Sequence, residues 1–186
     1  MFNLRIVWFI NSGDTIMPIG KDGGSGSSTG FKTARGRDWP SVRQYNVFVA
    51  NRVGGLMRVV RWFEMTDIRI VSISIVDSAD CAIIRLVLSN PERATEIFQQ
   101  ANLPYTESDL LVVKLPSESQ PLLLICKALL EAEINIHYAY PLLVGPKGNS
   151  ALALHVEDHE SAITTLGKKG FVLYTEKDLD QEEEMS

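Results

Sequence analysis

The fold is decided by residues 45–70, which read YNVFVANRVGGLMRVVRWFEMTDIRI, and by residues 111–136, which read LVVKLPSESQPLLLICKALLEAEINI. In both stretches a β-rich run is followed by apolar residues at helical spacing and then by the start of another β-rich run. The two stretches align at an offset of 66 residues, which pairs Leu56 with Leu122. This agreement indicates that the chain contains a duplicated unit.

The repeat continues along the chain with a slightly larger offset. Beyond the first hairpin, equivalent apolar residues such as Leu86 and Leu154 are 68 positions apart. The two additional residues fall in the loop 145–149, which contains glycine and proline, and an insertion in such a loop costs little free energy. The two units thus differ in length only in a loop that tolerates insertions, which supports a true duplication.

Each unit follows the order strand, helix, strand, strand, helix, strand. The first helix carries its apolar stripe at Leu56, Val59 and Phe63, and the second begins with Asn90 as N-cap and Pro91 at its first position. This order predicts an α+β fold of two tandem ferredoxin-like βαββαβ units, each with an antiparallel four-stranded sheet. The predicted strands are residues 45–50, 68–76, 82–88 and a short strand from 105 in the first unit, and 110–115, 134–144, 151–156 and 171–175 in the second.

Both ends of the chain are predicted to lie outside these units. Residues 20–28 read GKDGGSGSS and cannot bury enough apolar surface to become ordered, so residues 1–43 are expected to form a flexible leader. Residues 180–186 are expected to form a solvated acidic tail. The first unit is then expected over residues 44–108 and the second over residues 109–179.

Composition and charge argue against several classes of partner. The formal net charge is −5 and no helix or strand carries a basic stripe, so a nucleic-acid partner is not expected. No apolar stretch approaches the ~20 residues that a membrane span needs. Cys81 and Cys126 lie in apolar runs outside any CxxC pair, which predicts buried free thiols and a cytoplasmic protein.

The sequence shows no set of residues that would support catalysis. It contains no phosphate-binding or dinucleotide-binding glycine motif and no recognisable nucleophile with a nearby base. His137, His155 and His159 lack the cysteine or paired carboxylate that metal spacing requires. We therefore expect no enzymatic activity, no cofactor and no metal. Tyr138 and Tyr140 either line a pocket or lie at the interface between the units, and the sequence leaves both roles open.

The loop between the first strand and the first helix, residues 51–56, reads NRVGGL. Two glycines at a helix N-terminus leave backbone N–H groups uncovered, and the helix dipole favours an anion such as a carboxylate there. The same glycines could instead serve only to make a tight turn from strand to helix.

This loop, the helix after it and the strand start DIRI at residues 67–70 resemble the beginning of an ACT domain. The family pattern there is a strand ending in Asp or Asn, then x-Pro-Gly-x-Leu, a helix, and a Gly-x-Asn-Ile strand start. The second unit resembles the same pattern at LLEAEINI, residues 129–136. The resemblance covers about residues 45–179, and the layout is similar to that of stand-alone tandem ACT proteins.

The resemblance implies that an amino acid binds at the interface between paired ACT-like units, usually to control an enzyme. In the family, the glycine loop of one unit and the strand-start asparagine of the facing unit contact the same ligand. Matched position by position, the resemblance implies six ligand-binding residues, which are Asn51, Val53, Gly54, Gly55, Leu56 and Asn135.

The two units depart from the family pattern in opposite ways. In the first unit, Val53 replaces the usual proline and Arg69 occupies the strand-start asparagine position. The second unit keeps Asn135, but its loop SESQPL at residues 117–122 has no glycine, and Pro121 removes one N–H donor. Each chain is therefore expected to keep one hybrid site, formed by the first loop and Asn135.

These observations predict a non-catalytic regulatory protein that binds an amino acid, forms a homodimer and acts on a client biosynthetic enzyme. The alternative is a regulatory subunit or protein-interaction module that docks on such an enzyme without a ligand. A small enzyme on the same fold is disfavoured because no catalytic set is recognisable.

Overall fold

The computed structural model describes residues 39–77 and 81–180 of the 186-residue chain. Residues 1–38 of the predicted leader lie outside this part, as do residues 181–186 of the predicted acidic tail. Within the described part no helix is long and apolar enough to cross a membrane.

The described residues form seven strands and five α-helices, in the order predicted for two βαββαβ units followed by one further helix. The first unit contains β1 (Val42–Ala50), α1 (Gly55–Val60), β2 (Ile70–Asp77), β3 (Cys81–Leu88), α2 (Pro91–Gln100) and the beginning of β4 (Tyr105–Lys114). The second unit contains the end of β4, α3 (Pro121–Leu130), β5 (Ile136–Pro141), β6 (Ala151–Val156), α4 (His159–Lys168), β7 (Leu173–Tyr174) and then α5 (Glu176–Asp180). A 3₁₀ turn, Arg61–Phe63, extends α1, and another, Pro146–Gly148, precedes β6.

Side-chain caps fix the start of the second helix in each unit, as the sequence predicts. The Asn90 side chain accepts the backbone N–H of Arg93 at 3.1 Å, and Pro91 is the first residue of α2. The Asp158 carboxylate accepts the backbone N–H of Ser161 at 3.0 Å at the start of α4. Each cap accepts a backbone N–H that the helix itself leaves unpaired, and such a cap typically stabilises the folded protein by ~1 kcal/mol.

The prediction of two separate four-stranded sheets is wrong, because one strand serves both units. All seven strands belong to one antiparallel sheet of order β2-β3-β1-β4-β6-β5, in which β7 also pairs with β4. Residues 105–110 of β4 pair with β1, and residues 111–114 pair with β6. The expected boundary between residues 108 and 109 therefore falls inside an unbroken strand.

The continuity of β4 has a local cause and a distant one. Residues 105–114 read YTESDLLVVK and contain neither glycine nor proline, so nothing in them ends a strand. The backbone partners change from β1 at Leu110 to β6 at Leu111, so hydrogen bonding continues across the junction. The short strand predicted from 105 and the strand predicted over 110–115 are therefore one element.

Three apolar clusters define the layers of the molecule. One joins the first half of the sheet to α1 and α2, and a second joins the other half to α3 and α4. The third contains residues of all seven strands and of α5, but none of α1 to α4. Alternation along β4 divides the clusters, because Leu111 belongs to the second and Val112 to the third. The helix-free faces of the two halves thus pack against each other.

The sheet curls until its two outermost strands meet. Leu143, just after β5, donates its backbone N–H to the carbonyl of Val71 in β2 at 2.8 Å. The Ser72 hydroxyl donates to the carbonyl of Pro141 at 2.6 Å. These bonds satisfy polar groups at what would otherwise be open edges of the sheet. The contact fixes the two units against each other.

Some element boundaries differ from those predicted. β1 begins at Val42, inside the expected leader, because Val42 pairs with Leu110 of β4. β5 ends three residues before the predicted position, at Pro141. α5 was not predicted, and it forms because Leu179 is buried in the third apolar cluster. Cys81 and Cys126 are free thiols and only half-buried, so they are less enclosed than expected.

Candidate ligand-binding residues

The loop between β1 and α1 holds Gly54 in the left-handed conformation. Its φ is +84°, a region that residues with a side chain rarely adopt. The next residue, Gly55, donates its N–H to the carbonyl of Arg52 at 3.0 Å and closes the turn. A Cβ on Gly55 would lie 3.5 Å from the carbonyl oxygen of Ala50, which is an ordinary contact. The turn therefore requires glycine at position 54 and not at position 55.

The outer side of this loop is open to solvent. Val53 is fully exposed, and Leu56 retains 39% of its accessible surface. Asn51 is exposed as well, and its side-chain amide donates to the carboxylate of Asp77, at the end of β2, at 2.7 Å. The predicted loop residues are thus accessible, and they lie beside a carboxylate that the sequence did not single out.

Asn135, the other half of the predicted hybrid site, lies immediately before β5. It is exposed, and its carbonyl accepts the backbone N–H of Glu157 at 3.0 Å. The strands β4 and β6 stand between β1 and β5 in the sheet. No hydrogen bond within the described part of the chain joins Asn135 to the loop 51–56. The loop 51–56 and Asn135 are therefore both exposed in one chain, but no hydrogen bond connects them there.

The equivalent turn of the second unit has a different shape. Gln120 occupies the position equivalent to Gly54, at the 66-residue offset, and its φ is −134° rather than left-handed. Pro121 follows as the first residue of α3 and offers no N–H. The turn before α3 therefore cannot offer backbone N–H groups to a ligand in the way that the first loop does.

A polar network that sequence reasoning missed lies between the two halves of the sheet. Gln44 of β1 is fully buried, and its amide donates to the Asn46 side chain at 2.6 Å and to the Tyr138 hydroxyl at 2.9 Å. The Tyr140 hydroxyl donates to the carbonyl oxygen of the Gln44 side chain. Tyr138 and Tyr140 therefore lie at the interface between the units. The signal in the sequence for this network is Gln44, a polar residue at a position of β1 that faces the interior.

A family model described as an ACT domain pair matches residues 40–182 of this chain. The chain belongs to the ACT domain pair family. ACT domains are regulatory domains, and the match spans both units, including the strand β4 that they share.

The ACT domain pair shares its fold with at least one solved structure. A protein from Bacteroides thetaiotaomicron is 20% identical and matches with a TM-score of 0.69 over 76% of this chain and 97% of that chain. The regulatory subunit of aspartate kinase from Thermus thermophilus, in its ligand-free form, is 11% identical, with a TM-score of 0.48 over 73% of this chain and 96% of that chain. A search of curated proteins finds no significant match.

The ACT domain pair exposes apolar side chains at equivalent positions of its two units. Leu56 and Met57 of α1 are exposed, and so are Leu122 and Leu123 of α3. These residues correspond at the 66-residue offset of the repeat. The first helix of each unit thus presents apolar surface near its N-terminal end.

His155 of β6 lies at the edge of the interface between the units. Its ring stacks on Tyr138 with centroids 4.7 Å apart and lies 5.2 Å from the ring of His137. Burial lowers the pKa of His155, the neighbouring His137 and Arg85 lower it further, and Asp109 opposes the change. In residues 39–77 and 81–180 no group of His, Cys, Asp or Glu side chains could hold a metal ion.

Lowering the pH should destabilise the ACT domain pair through His155. Because its pKa is lower in the folded chain than the ordinary value of 6.5, the unfolded chain binds the proton first. The free energy of unfolding should therefore be retained above pH 6.5 and decline as the pH falls from there towards the folded pKa. Urea unfolding at about pH 7.5 and pH 5.5 measures the decline. The decline in the free energy of unfolding should be smaller in His155→Gln than in the wild type. An equal decline in both proteins would contradict the role given to His155.

Proposed function

We propose that this ACT domain pair is a non-catalytic regulatory protein that binds an amino acid at sites completed between two chains. The observation that carries the proposal is the exposed turn before α1, where the left-handed Gly54 leaves the backbone open to a ligand. Asn135 is equally exposed at the start of β5. Since no hydrogen bond joins these halves in the described part of one chain, we infer that Asn135 of the partner subunit would complete the site at the loop of the first chain.

The chemistry of the loop suits the two charged groups of an amino acid. Backbone N–H groups at the start of α1, from Gly54 and Leu56, would receive the carboxylate, because the N–H of Gly55 already donates to Arg52. Asp77, hydrogen-bonded to Asn51, offers a carboxylate to the ammonium group. Val53 stands beside the turn, fully exposed, where a ligand side chain could cover it.

A ligand shared by two chains would act by changing the population of the dimer. An amino acid that contacts the loop of one chain and Asn135 of its partner binds the paired state more tightly than the separate chains. The client is proposed to be a biosynthetic enzyme in the cytoplasm, which would respond to the paired state. The half-buried free thiols of Cys81 and Cys126 are compatible with a reducing compartment.

Thermal melting with each of the twenty amino acids, followed by isothermal titration, tests the proposal. A ligand present at about 100 times its Kd should raise the free energy of unfolding by about 2.7 kcal/mol. Asn51→Ala should weaken binding by about tenfold or more, because the Asp77 carboxylate loses the hydrogen bond that holds it in place for the ammonium group. Gln99→Ala removes an exposed amide on α2 and should bind as the wild type does. Unchanged affinity in Asn51→Ala would remove the loop from consideration.

Mixing two variants tests whether the site is shared between chains. Asn51→Ala and Asn135→Ala should each bind poorly alone. A mixed dimer would contain one intact site, built from the loop of the Asn135→Ala chain and the Asn135 of the Asn51→Ala chain. An equimolar mixture that exchanges freely should therefore regain binding at about a quarter of its sites. Failure to regain any binding, with subunit exchange verified, would contradict a shared site.

The second candidate is an interaction module that docks on an enzyme without a ligand. The observation in its favour is the exposed apolar surface at Leu56, Met57, Leu122 and Leu123, which is duplicated in the two units. The melting screen separates the two candidates. An ACT domain pair that no amino acid stabilises, but that purifies with an enzyme, would favour docking.

A further inference from the structure

Arg85 of β3 lies on the inner face of the sheet, where the two units meet. Its guanidinium carbon is 3.8 Å from the centroid of the Tyr138 ring, which belongs to the other unit. The side chain is half-buried. A guanidinium that stacks on an aromatic ring has its orientation fixed while its N–H edges remain available in the plane of the group.

The charge of Arg85 has no counter-ion among the described residues. Its Nε is buried and has no hydrogen-bond acceptor there, and no carboxylate forms an ion pair with it. Arg43, on the neighbouring strand β1, has three glutamates within 3.8 Å, which are Glu92, Glu107 and Glu176. A half-buried cation with an unsatisfied donor is costly, so the site favours an anion.

The side chains around Arg85 are suited to bind that anion. Ser74 and Asn46 pair directly with Arg85 across the sheet, so the three side chains point from the same face. From the other unit, His155 stacks on Tyr138, and its Nδ1 is buried without a hydrogen-bond partner in the described part of the chain. We call Asn46, Ser74, Arg85, Tyr138 and His155 the Arg85 cluster. Two buried polar atoms of the cluster, Arg85 Nε and His155 Nδ1, thus lack hydrogen-bond partners in the described part of the chain.

We propose that the Arg85 cluster binds a small oxyanion, a carboxylate or a phosphate, between the two ACT units. The N–H edge of Arg85 would donate to two oxygens of the anion, while the Ser74 hydroxyl supplies a further donor. The Asn46 amide borders the site but already donates to Ser108 and Thr106. His155 would add a donor from the opposite unit. Because the cluster takes residues from both units, the anion would hold them together. The Arg85 cluster includes neither Asn135 nor any residue of the loop 51–56. It can therefore be tested independently of the proposed amino-acid site.

Isothermal titration of the full chain with sodium phosphate and with sodium succinate, at matched ionic strength, tests this site. We expect saturable binding of at least one anion, and the one that binds identifies the source of the oxyanion. Arg85→Gln should weaken that binding by about tenfold or more, and Arg85→Lys should fall between, because it keeps the charge without the planar fork. Arg93→Gln changes an exposed arginine paired with Glu96 and should bind as the wild type does.

A spectroscopic readout keeps the proposal testable if Arg85→Gln fails to fold. In the wild type, the Nε–H resonance of Arg85, identified by its absence from the spectrum of Arg85→Lys, should shift during the titration. Absence of saturable binding of both anions would overturn the proposal. So would equal affinity in a folded Arg85→Gln, or an Nε–H resonance that does not move while the anion binds.

Discussion

Replacing Leu110 by alanine is expected to lower the free energy of unfolding by about 2–5 kcal/mol and to destabilise both ACT units in one transition. Leu110 is fully buried in the third apolar cluster, at the point where β4 passes from the first unit to the second. A cavity there removes contacts from both helix-free faces. Because β4 is hydrogen-bonded within both units, neither unit should persist when it is lost.

Urea unfolding followed by circular dichroism and by tryptophan fluorescence measures this effect. The two probes should give the same midpoint. Leu123→Ala on α3 is the matched control, since that leucine is 60% exposed and its loss should change the free energy of unfolding by less than about 0.5 kcal/mol. Two separate transitions would show that the units fold independently, in conflict with a shared strand.

Replacing Gln44 by leucine is expected to cost about 1–3 kcal/mol, mainly because the Tyr140 hydroxyl loses its acceptor. Gln44 is fully buried and Tyr140 is 93% buried, so water cannot readily replace the bond. The Tyr138 hydroxyl is less affected, because Tyr138 is only half-buried and can reach solvent.

A double-variant cycle separates this hydrogen bond from packing. Tyr140→Phe removes the stranded hydroxyl, so adding it to Gln44→Leu should recover much of the lost free energy of unfolding. The two single changes would then sum to more than the double change. Strict additivity of the two changes would mean that the hydrogen bond between Gln44 and Tyr140 contributes nothing to stability.

Local chemistry allowed much of this fold to be predicted from the sequence. The caps at Asn90 and Asp158 depend on residues within three positions of each other, so their sequence signals are complete. β6 was predicted with its observed bounds because its apolar run ends where Asp158 begins the cap of α4. The ACT resemblance also rested on short-range patterns, and the family match over residues 40–182 confirms it.

The candidate site was less predictable, because its parts come from distant strands. The sequence identified the turn with two glycines, and the structure shows that only position 54 of the two requires glycine, because Gly54 alone is left-handed. It predicted that the loop and Asn135 share one ligand, and this pairing remains a proposal that the mixing experiment tests. The partner of Asn51, the Asp77 carboxylate, lies 26 residues away, and no local pattern links them.

By itself the sequence determined the order of the elements and the starts of the capped helices, because periodicity and caps act over a few residues. Only the tertiary structure decided that β4 belongs to both units, since strand pairing joins residues far apart in the chain. It also decided that Gln44, Arg85 and Tyr138 meet, across separations of up to 94 positions. Inward-facing polar residues are visible in a strand pattern, but the partner across the interface is set by how the sheet curls.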